Sequence, residues 1–126
     1  MDAAYVFAVR FRLDPSRDVR VEPRVFETTL RRPADPPGEP GWLFFRDNLW
    51  RGDLADPESF RDLTSEALGV PVESVEFRAF ETDREYDDAL REEIAADLAP
   101  FKADSVSEVV SKYLGSSVEV VGPEDT

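Results

Sequence analysis

The residues best suited to recognising a ligand lie close together between Arg46 and Arg51. This stretch contains two guanidinium groups, the amide of Asn48 and the indole of Trp50. An indole with neighbouring guanidinium groups can hold a base or a nucleotide ring by stacking. The alternative is structural: Trp50 lies in the core with its N–H bonded to a carbonyl, and Arg51 bridges a loop carboxylate such as Asp53.

Further arginines lie on predicted strands of the N-terminal half. Guanidinium groups on one face of a sheet would recognise an anion or an acidic partner through bidentate hydrogen bonds. The alternative is cross-strand ion pairing between arginines and acidic residues: Arg24, Arg31 and Arg46 opposite Glu22, Glu27 and Asp47. The candidate binding surface consists of Arg10, Arg12, Arg31, Arg46, Asn48, Trp50 and Arg51.

Two residue types that many enzymes use for catalysis are missing. The chain has no histidine and no cysteine, which excludes Ser-His-Asp and Cys-His nucleophiles and zinc sites with soft ligands. It has no glycine-rich phosphate-binding loop. Two clusters of carboxylates stand where helix N-termini favour acids anyway: Asp53, Asp56 and Glu58, and Asp83, Asp87 and Asp88. We therefore predict no catalytic residue, no metal and no cofactor, and we disfavour an enzyme.

The net charge of −13 is unevenly distributed along the chain. Residues 1–51 contain nine arginines and carry a net charge of +1, whereas residues 52–126 carry −14. At about 1 M salt the Debye length is only ~3 Å, which removes most of the repulsion between like charges. We interpret the acidity as adaptation to a salty cytoplasm, the alternative being an ordinary acidic protein. We predict no membrane segment, and the charge disfavours binding to nucleic-acid phosphates.

Alternation of apolar and polar residues predicts five strands, at residues 5–13, 25–31, 42–50, 72–80 and 118–121. Apolar residues occur on both faces of the first and third strands, as Val6 and Phe7 or Leu43 and Phe44 show. A sheet with one solvated face should not have this pattern. Either another element or a partner chain must cover the second face, so a homodimer is one hypothesis.

Capping residues predict three helices. The first starts at Asp56, the second at about Asp83, and the third at the capping box that begins at Ser105. Gly69 ends the first helix. The predicted buried faces are Phe60, Leu63, Ala67 and Leu68 on the first helix and Tyr86, Leu90, Ile94 and Leu98 on the second.

These elements predict one α+β domain over residues 1–121, followed by a short acidic C-terminal tail at residues 122–126. The sheet is expected to be largely antiparallel, with about four or five strands. Three helices pack mainly on one of its faces, and the order of elements is β-β-β-α-β-α-α-β.

Leu49-Trp50-Arg51, at the end of the predicted third strand, resembles the tripeptide that names the haloarchaeal LWR-salt protein family. The small size, strong acidity and lack of cysteine extend this resemblance over most of the chain. The resemblance implies a haloarchaeal cytoplasm and a shared structural or binding role for this segment. It carries over no catalytic or ligand residue.

The residues alone leave three candidate functions. The first is a non-enzymatic protein-interaction module that uses the aromatic and arginine-rich half of the sheet, with a protein or a second copy as partner. The alternative is a small-molecule or nucleotide-binding protein that uses Trp50, Arg46 and Arg51. An enzyme that uses carboxylates with magnesium comes third.

Overall fold

The computed structural model describes residues 1–12 and 25–121, which form strands and helices around a central sheet. In chain order the elements are β1 (Ala3–Arg12), β2 (Val25–Pro33), α1 (Phe44–Asn48), β3 (Leu49–Trp50), β4 (Asp53–Leu54), α2 (Pro57–Leu68), β5 (Val72–Thr82), α3 (Arg84–Ala96), α4 (Val106–Tyr113) and β6 (Val118–Val120). A turn of 3-10 helix (Ala99–Phe101) precedes α4. Leu13, the Arg24–Glu22 pair and the predicted acidic tail lie outside the described residues.

The main sheet has four strands in the order β2-β1-β5-β6. Strand β1 is antiparallel to both β2 and β5, whereas β5 and β6 are parallel. Strands β3 and β4 form a separate antiparallel ribbon. The α+β class is therefore confirmed, but the sheet is mixed, and the described part of the chain contains four α-helices instead of three.

The two faces of the main sheet differ in what covers them. Tyr5, Phe7 and Val9 of β1 lie in the core together with buried residues of the helices. A β-bulge in β5 at Arg78 breaks the period, so that Phe77 and Phe80 both face this core. Strict alternation in the predicted strand at residues 72–80 would place Val75, Phe77 and Ala79 on the core side, but Ala79 consequently pairs with Val6 on the opposite face.

The opposite face, which we call the outer face, carries small apolar and long charged side chains. Val6, Ala8 and Ala79 are buried there but lie outside the core cluster. The paired residues around them include Arg31 and Glu76. Long charged side chains can cover small apolar ones with their aliphatic stems. The apolar residues on both faces of β1 therefore do not by themselves require a covering element.

The predicted strand at residues 42–50 is wrong. Phe44–Asn48 form α1, and only Leu49–Trp50 are extended. Phe45 and Leu49 are four residues apart and both fully buried, which suits a helical turn. The amide of Asn48 donates to the carbonyl of Phe44 at 3.0 Å and closes that turn.

The predicted caps of the helices are confirmed. The side chains of Asp56, Asp83 and Ser105 accept hydrogen bonds from backbone N–H groups in the first turns of α2, α3 and α4. The backbone of Gly69 is left-handed, with φ at 71°. On α3, Tyr86, Leu90 and Ile94 are buried as predicted, whereas Leu98 lies beyond the end of the helix.

The predicted buried face of α2 is only partly correct. Thr64 is the buried residue of this helix, and its hydroxyl donates to the carbonyl of Phe60 at 2.7 Å. Leu63 is 62% exposed and Leu68 is 43% exposed. Two large apolar side chains of α2 therefore face solvent. Within residues 1–12 and 25–121, no helix has the length and apolar character needed to cross a membrane.

Candidate functional site

The segment from Leu49 to Gly52 forms a tight turn between β3 and β4. Leu49 is fully buried in the core, whereas Trp50 is 46% exposed at the surface. Arg51 has a φ of 53° and Gly52 a φ of 86°, so both residues are left-handed. This conformation is unfavourable for arginine and must be maintained by surrounding contacts.

Those contacts come from the C-terminal end of α4. The backbone N–H of Arg51 donates to the carbonyl of Lys112 at 2.8 Å, and that of Gly52 donates to the carbonyl of Tyr113 at 3.0 Å. The last carbonyls of a helix have no partner within the helix. The turn therefore caps α4 from outside, and the left-handed backbone of Arg51 is what aims two successive N–H groups at it.

Gly115 allows this close approach. Its φ is 60°, and a Cβ at this position would lie 2.9 Å from the carbonyl oxygen of Arg51. The chain just beyond the end of α4 thus has no room for a side chain where it meets the turn.

Two cations and one aromatic ring surround Trp50. The guanidinium carbon of Arg51 lies 5.6 Å from the centroid of the indole, and Nζ of Lys112 lies 5.9 Å from it. The ring of Tyr113 packs edge-on against it at 6.1 Å. Lys112 Nζ also donates to the carbonyl of Phe101 at 2.8 Å, so this lysine links the 3-10 turn to the indole. The structure places Trp50 at the surface and not in the core.

Trp50 and Arg51 line two shallow hollows on the surface. The larger, of about 940 Å³, runs along α4 and is lined mostly by hydroxyl groups and charges. The smaller, of about 460 Å³, is also lined by Arg46 and Leu54. Arg46, Trp50 and Arg51, which the sequence predicts to act together, are therefore neighbours around one hollow.

The remaining predicted residues lie elsewhere. Arg10, Arg12 and Arg31 are on the outer face of the main sheet. Asn48 points toward β2 and α2. The seven residues of the candidate surface therefore do not form one patch in the structure.

Ion pairs neutralise much of the arginine cluster. Arg12 contacts Glu73 at 2.7 Å, and Arg46 contacts Asp47 at 2.9 Å. Arg31 pairs with Glu81, which lies on the far side of β1, instead of with Glu27. Cross-strand pairing thus occurs, although Glu81 replaces the partner that the sequence predicts for Arg31. These exposed pairs contribute little to stability, but they occupy donors of Arg12, Arg31 and Arg46.

The structure also contains an apolar groove that the sequence does not predict. We call it the edge groove: it lies between the outer edge of β2 and the helix α2 and has a volume of about 660 Å³. Its apolar lining is Phe7, Leu30, Phe44, Phe60, Leu63, Ala67 and Leu68. The guanidinium of Arg32 lies 4.5 Å above the ring of Phe44 and borders the groove. The apolar stripe on α2 indicated this surface, but the stripe predicts burial in the core.

One member of each carboxylate cluster caps a helix in the structure. Asp56 and Asp83 accept backbone hydrogen bonds, and the bond from the N–H of Tyr86 lowers the pKa of Asp83 below its ordinary value. Within the described ranges, no group of three or more acidic side chains could hold a metal ion.

The tripeptide Leu49-Trp50-Arg51, on which the resemblance to a known family was first noted, forms this turn: Leu49 lies in the core, Trp50 at the surface and Arg51 against the end of α4. A family model described as LWR-salt protein matches residues 1–124. No curated protein and no solved structure matches the chain. Because the family model covers nearly all of the sequence, including this turn, the chain belongs to the LWR-salt protein family.

Proposed function

We propose that this protein is a non-enzymatic protein-interaction module that binds its partner at the edge groove. The observation that carries this proposal is the exposure of Leu63 and Leu68 on α2, next to an edge strand of the main sheet. Exposed apolar side chains beside a sheet edge are a common docking site for an extended segment of another protein.

The edge of β2 supplies the backbone hydrogen-bonding groups of such a site. Within the part of the chain that the structure describes, no strand pairs with the side of β2 that faces away from β1. An added strand would therefore find backbone donors and acceptors along the nine residues of β2. The adjoining groove would take every second side chain of that strand, because successive side chains of a strand point to opposite faces.

This chemistry fits a salty medium better than recognition by arginines does. Salt screens the long-range attraction between charged groups, whereas it leaves backbone hydrogen bonds and apolar contacts in place. Two of the three predicted arginines on the outer face are also partly engaged, since Arg12 and Arg31 bond to Glu73 and Glu81. The edge groove therefore supports the interaction role better than the arginine cluster does.

The test is affinity purification in molar KCl from cells that make the protein, with Leu63→Ser/Leu68→Ser as the variant. Both side chains are exposed, so this variant should fold normally and lose its partner. Val120→Ser is the matched control, because Val120 is 52% exposed on β6 at the opposite edge of the sheet. Recovery of the same partner with the double variant would contradict the proposal.

The exposure of Trp50 favours a second candidate function, the binding of an aromatic anion such as a nucleotide. Its indole lies next to Arg51 and Lys112, and Arg46 lines the same hollow. Stacking on an indole resists salt better than a phosphate contact does. Titration with AMP in molar KCl should quench the fluorescence of Trp50 and leave that of a Trp50→Phe variant, which retains Trp42, unchanged. Equal quenching in both proteins would refute it.

A further inference from the structure

We propose that the partner at the edge groove is a second copy of this chain, with β2 of each copy paired antiparallel about a two-fold axis at Thr29. This inference rests on the proposed function and names its partner. This pairing would join the main sheets of two copies into one continuous sheet. The inference is drawn from the backbone, the charges and the apolar residues of β2.

The backbone of β2 determines which residues can form the new ladder. In an antiparallel pair, directly opposed residues alternate between bonded and non-bonded positions. The N–H of Ala34 donates to the carbonyl of Ala3 at 2.9 Å, in the same register as the pairing of β1 with β2. Every second residue before Ala34 therefore bonds to β1. The residues between them, Glu27, Thr29 and Arg31, direct their N–H and C=O groups outward.

Several registers would pair residues whose N–H and C=O groups point away from β1. The charges on the side chains favour one of these registers. When Thr29 faces its own copy, Glu27 of each chain faces Arg31 of the other, twice by symmetry. A two-fold axis at Glu27 or at Arg31 would bring like charges together. An axis at Thr28 or Leu30 would leave both charges opposite uncharged residues. Opposed charges on neighbouring strands stabilise a pair, and like charges destabilise it.

Arg31 can serve the partner without giving up its internal bond. One nitrogen, Nη1, contacts Glu81, and the side chain remains 57% exposed. The guanidinium group has five N–H donors, which is enough for two carboxylates. Glu27, on the same face, is exposed.

The apolar residues meet on the other face of the new sheet. A two-fold axis perpendicular to the sheet keeps both copies of α2 on the same side, so that the two edge grooves adjoin. Leu30, Leu63 and Leu68 of one copy then approach their counterparts. Thr28, which is exposed on the core-facing side of β2, would lie opposite the partner's Leu30.

Strand β2 has only part of the protection that free edges usually have. Exposed edge strands are usually short, interrupted by a bulge, or blocked by charged residues or proline, and β2 has three charged residues, Glu27, Arg31 and Arg32. The nine residues of β2 pair with β1 without a break in register, contain no lysine, and contain proline only at the last position, Pro33. A long regular edge of this kind is expected to be covered in the native assembly.

The distribution of charge permits such an assembly at this edge. Two chains that each carry −13 repel each other, but residues 1–51 carry +1 and residues 52–126 carry −14. The edge strand belongs to the half that is nearly neutral. Because salt screens the remaining repulsion, the dimer should become tighter as KCl is raised.

Sedimentation equilibrium in molar KCl tests the inference, with circular dichroism to confirm that each variant folds. The wild type and Val120→Ser should be dimers. Thr29→Pro should be a monomer, because it removes an outward N–H that β1 does not use. Because each change places like charges directly opposite each other at two symmetric positions, Glu27→Arg and Arg31→Glu should each weaken the dimer severalfold, and the double variant Glu27→Arg/Arg31→Glu should recover most of the affinity.

The double variant identifies the register, because Arg31→Glu loses the bond to Glu81 with or without the second change. Recovery must therefore come from the partner chain. A monomeric wild type, a Thr29→Pro dimer or a double variant that stays weak would each overturn the inference. If the wild type is monomeric but Leu63→Ser/Leu68→Ser still loses a different protein, the inference fails and the proposed function stands.

Discussion

Replacing Gly115 by alanine tests whether the turn at Leu49–Gly52 holds α4 in place. The added Cβ would meet the carbonyl oxygen of Arg51 at 2.9 Å and its carbon at 3.0 Å. Both atoms belong to the backbone, so the turn and the end of α4 must move apart. Gly69→Ala is the matched control, because Gly69 is also left-handed, at φ 71°, but has no atom within 4 Å of the position of a Cβ.

The difference between the two variants measures the contact itself. Alanine in a left-handed conformation costs about 1–2 kcal/mol, and both variants incur this cost. Gly115→Ala also strains the hydrogen bonds from the N–H groups of Arg51 and Gly52 to α4. A hydrogen bond of this kind contributes about 1 kcal/mol. The total loss for Gly115→Ala should therefore be about 2–4 kcal/mol, against about 1–2 kcal/mol for Gly69→Ala.

The assay is thermal unfolding followed by circular dichroism in molar KCl. For a domain of this size, 1 kcal/mol corresponds to a change in Tm of about 3–5 °C. We expect Gly115→Ala to melt several degrees below Gly69→Ala. Trp50 reports on the same movement, since its fluorescence should change in Gly115→Ala and not in Gly69→Ala. Equal Tm values for the two variants would refute the argument that the turn and α4 are in obligatory contact.

Three further predictions concern charge. Because the pKa of Asp83 is lowered in the folded state, its carboxylate stabilises the fold at neutral pH, and this contribution is lost as the pH falls below about 4. Thermal unfolding should therefore show that the stability advantage of the wild type over Asp83→Asn shrinks over that pH range. A difference that stays constant would contradict this prediction. Lys112→Met should lower stability by about 1 kcal/mol, because the carbonyl of Phe101 loses the shorter of its two hydrogen bonds and keeps only the one from the hydroxyl of Tyr113, and should alter the emission of Trp50; unchanged melting and emission would count against this role. Dialysis from molar KCl to low salt should reduce the helical signal in circular dichroism, because residues 52–126 carry a net charge of −14 and low salt no longer screens the repulsion among them. An unchanged spectrum would overturn that prediction.

Short-range signals in the sequence were sufficient to predict most of the helices. Asp56, Asp83 and Ser105 cap helices because each side chain is within reach of a backbone N–H three residues later. Such bonds depend only on neighbours along the chain. For the same reason Gly69 ends α2 as expected, in a left-handed conformation.

The error at residues 42–50 has a different physical origin. Apolar residues that occur side by side fit a buried strand and a short helix equally well. The choice is made by distant parts of the chain, since Phe45 stacks on Phe101 at 5.8 Å and also packs against Tyr113. No pattern within nine residues encodes those two contacts.

The candidate site was predicted only in part, because sequence patterns identify residues that are close along the chain but not residues that the fold brings together. Arg46, Trp50 and Arg51 are close in sequence and remain neighbours around one hollow. Arg10, Arg12 and Arg31 were grouped with them by residue type, but they lie on the outer face of the main sheet. The edge groove was missed because an apolar stripe on α2 does not reveal whether another helix or strand of the chain packs against it.

The turn that names the family is better explained by architecture than by recognition of a ligand. Leu49 fills the core, and the left-handed Arg51 aims two N–H groups at the open end of α4. Trp50 covers this junction, with Lys112 above it, one of only two lysines in the chain. Backbone hydrogen bonds and aromatic contacts of this kind do not weaken as salt rises, unlike the exposed ion pairs of the outer face. The turn of the β3–β4 ribbon can therefore hold the end of α4 by contacts that high salt does not screen.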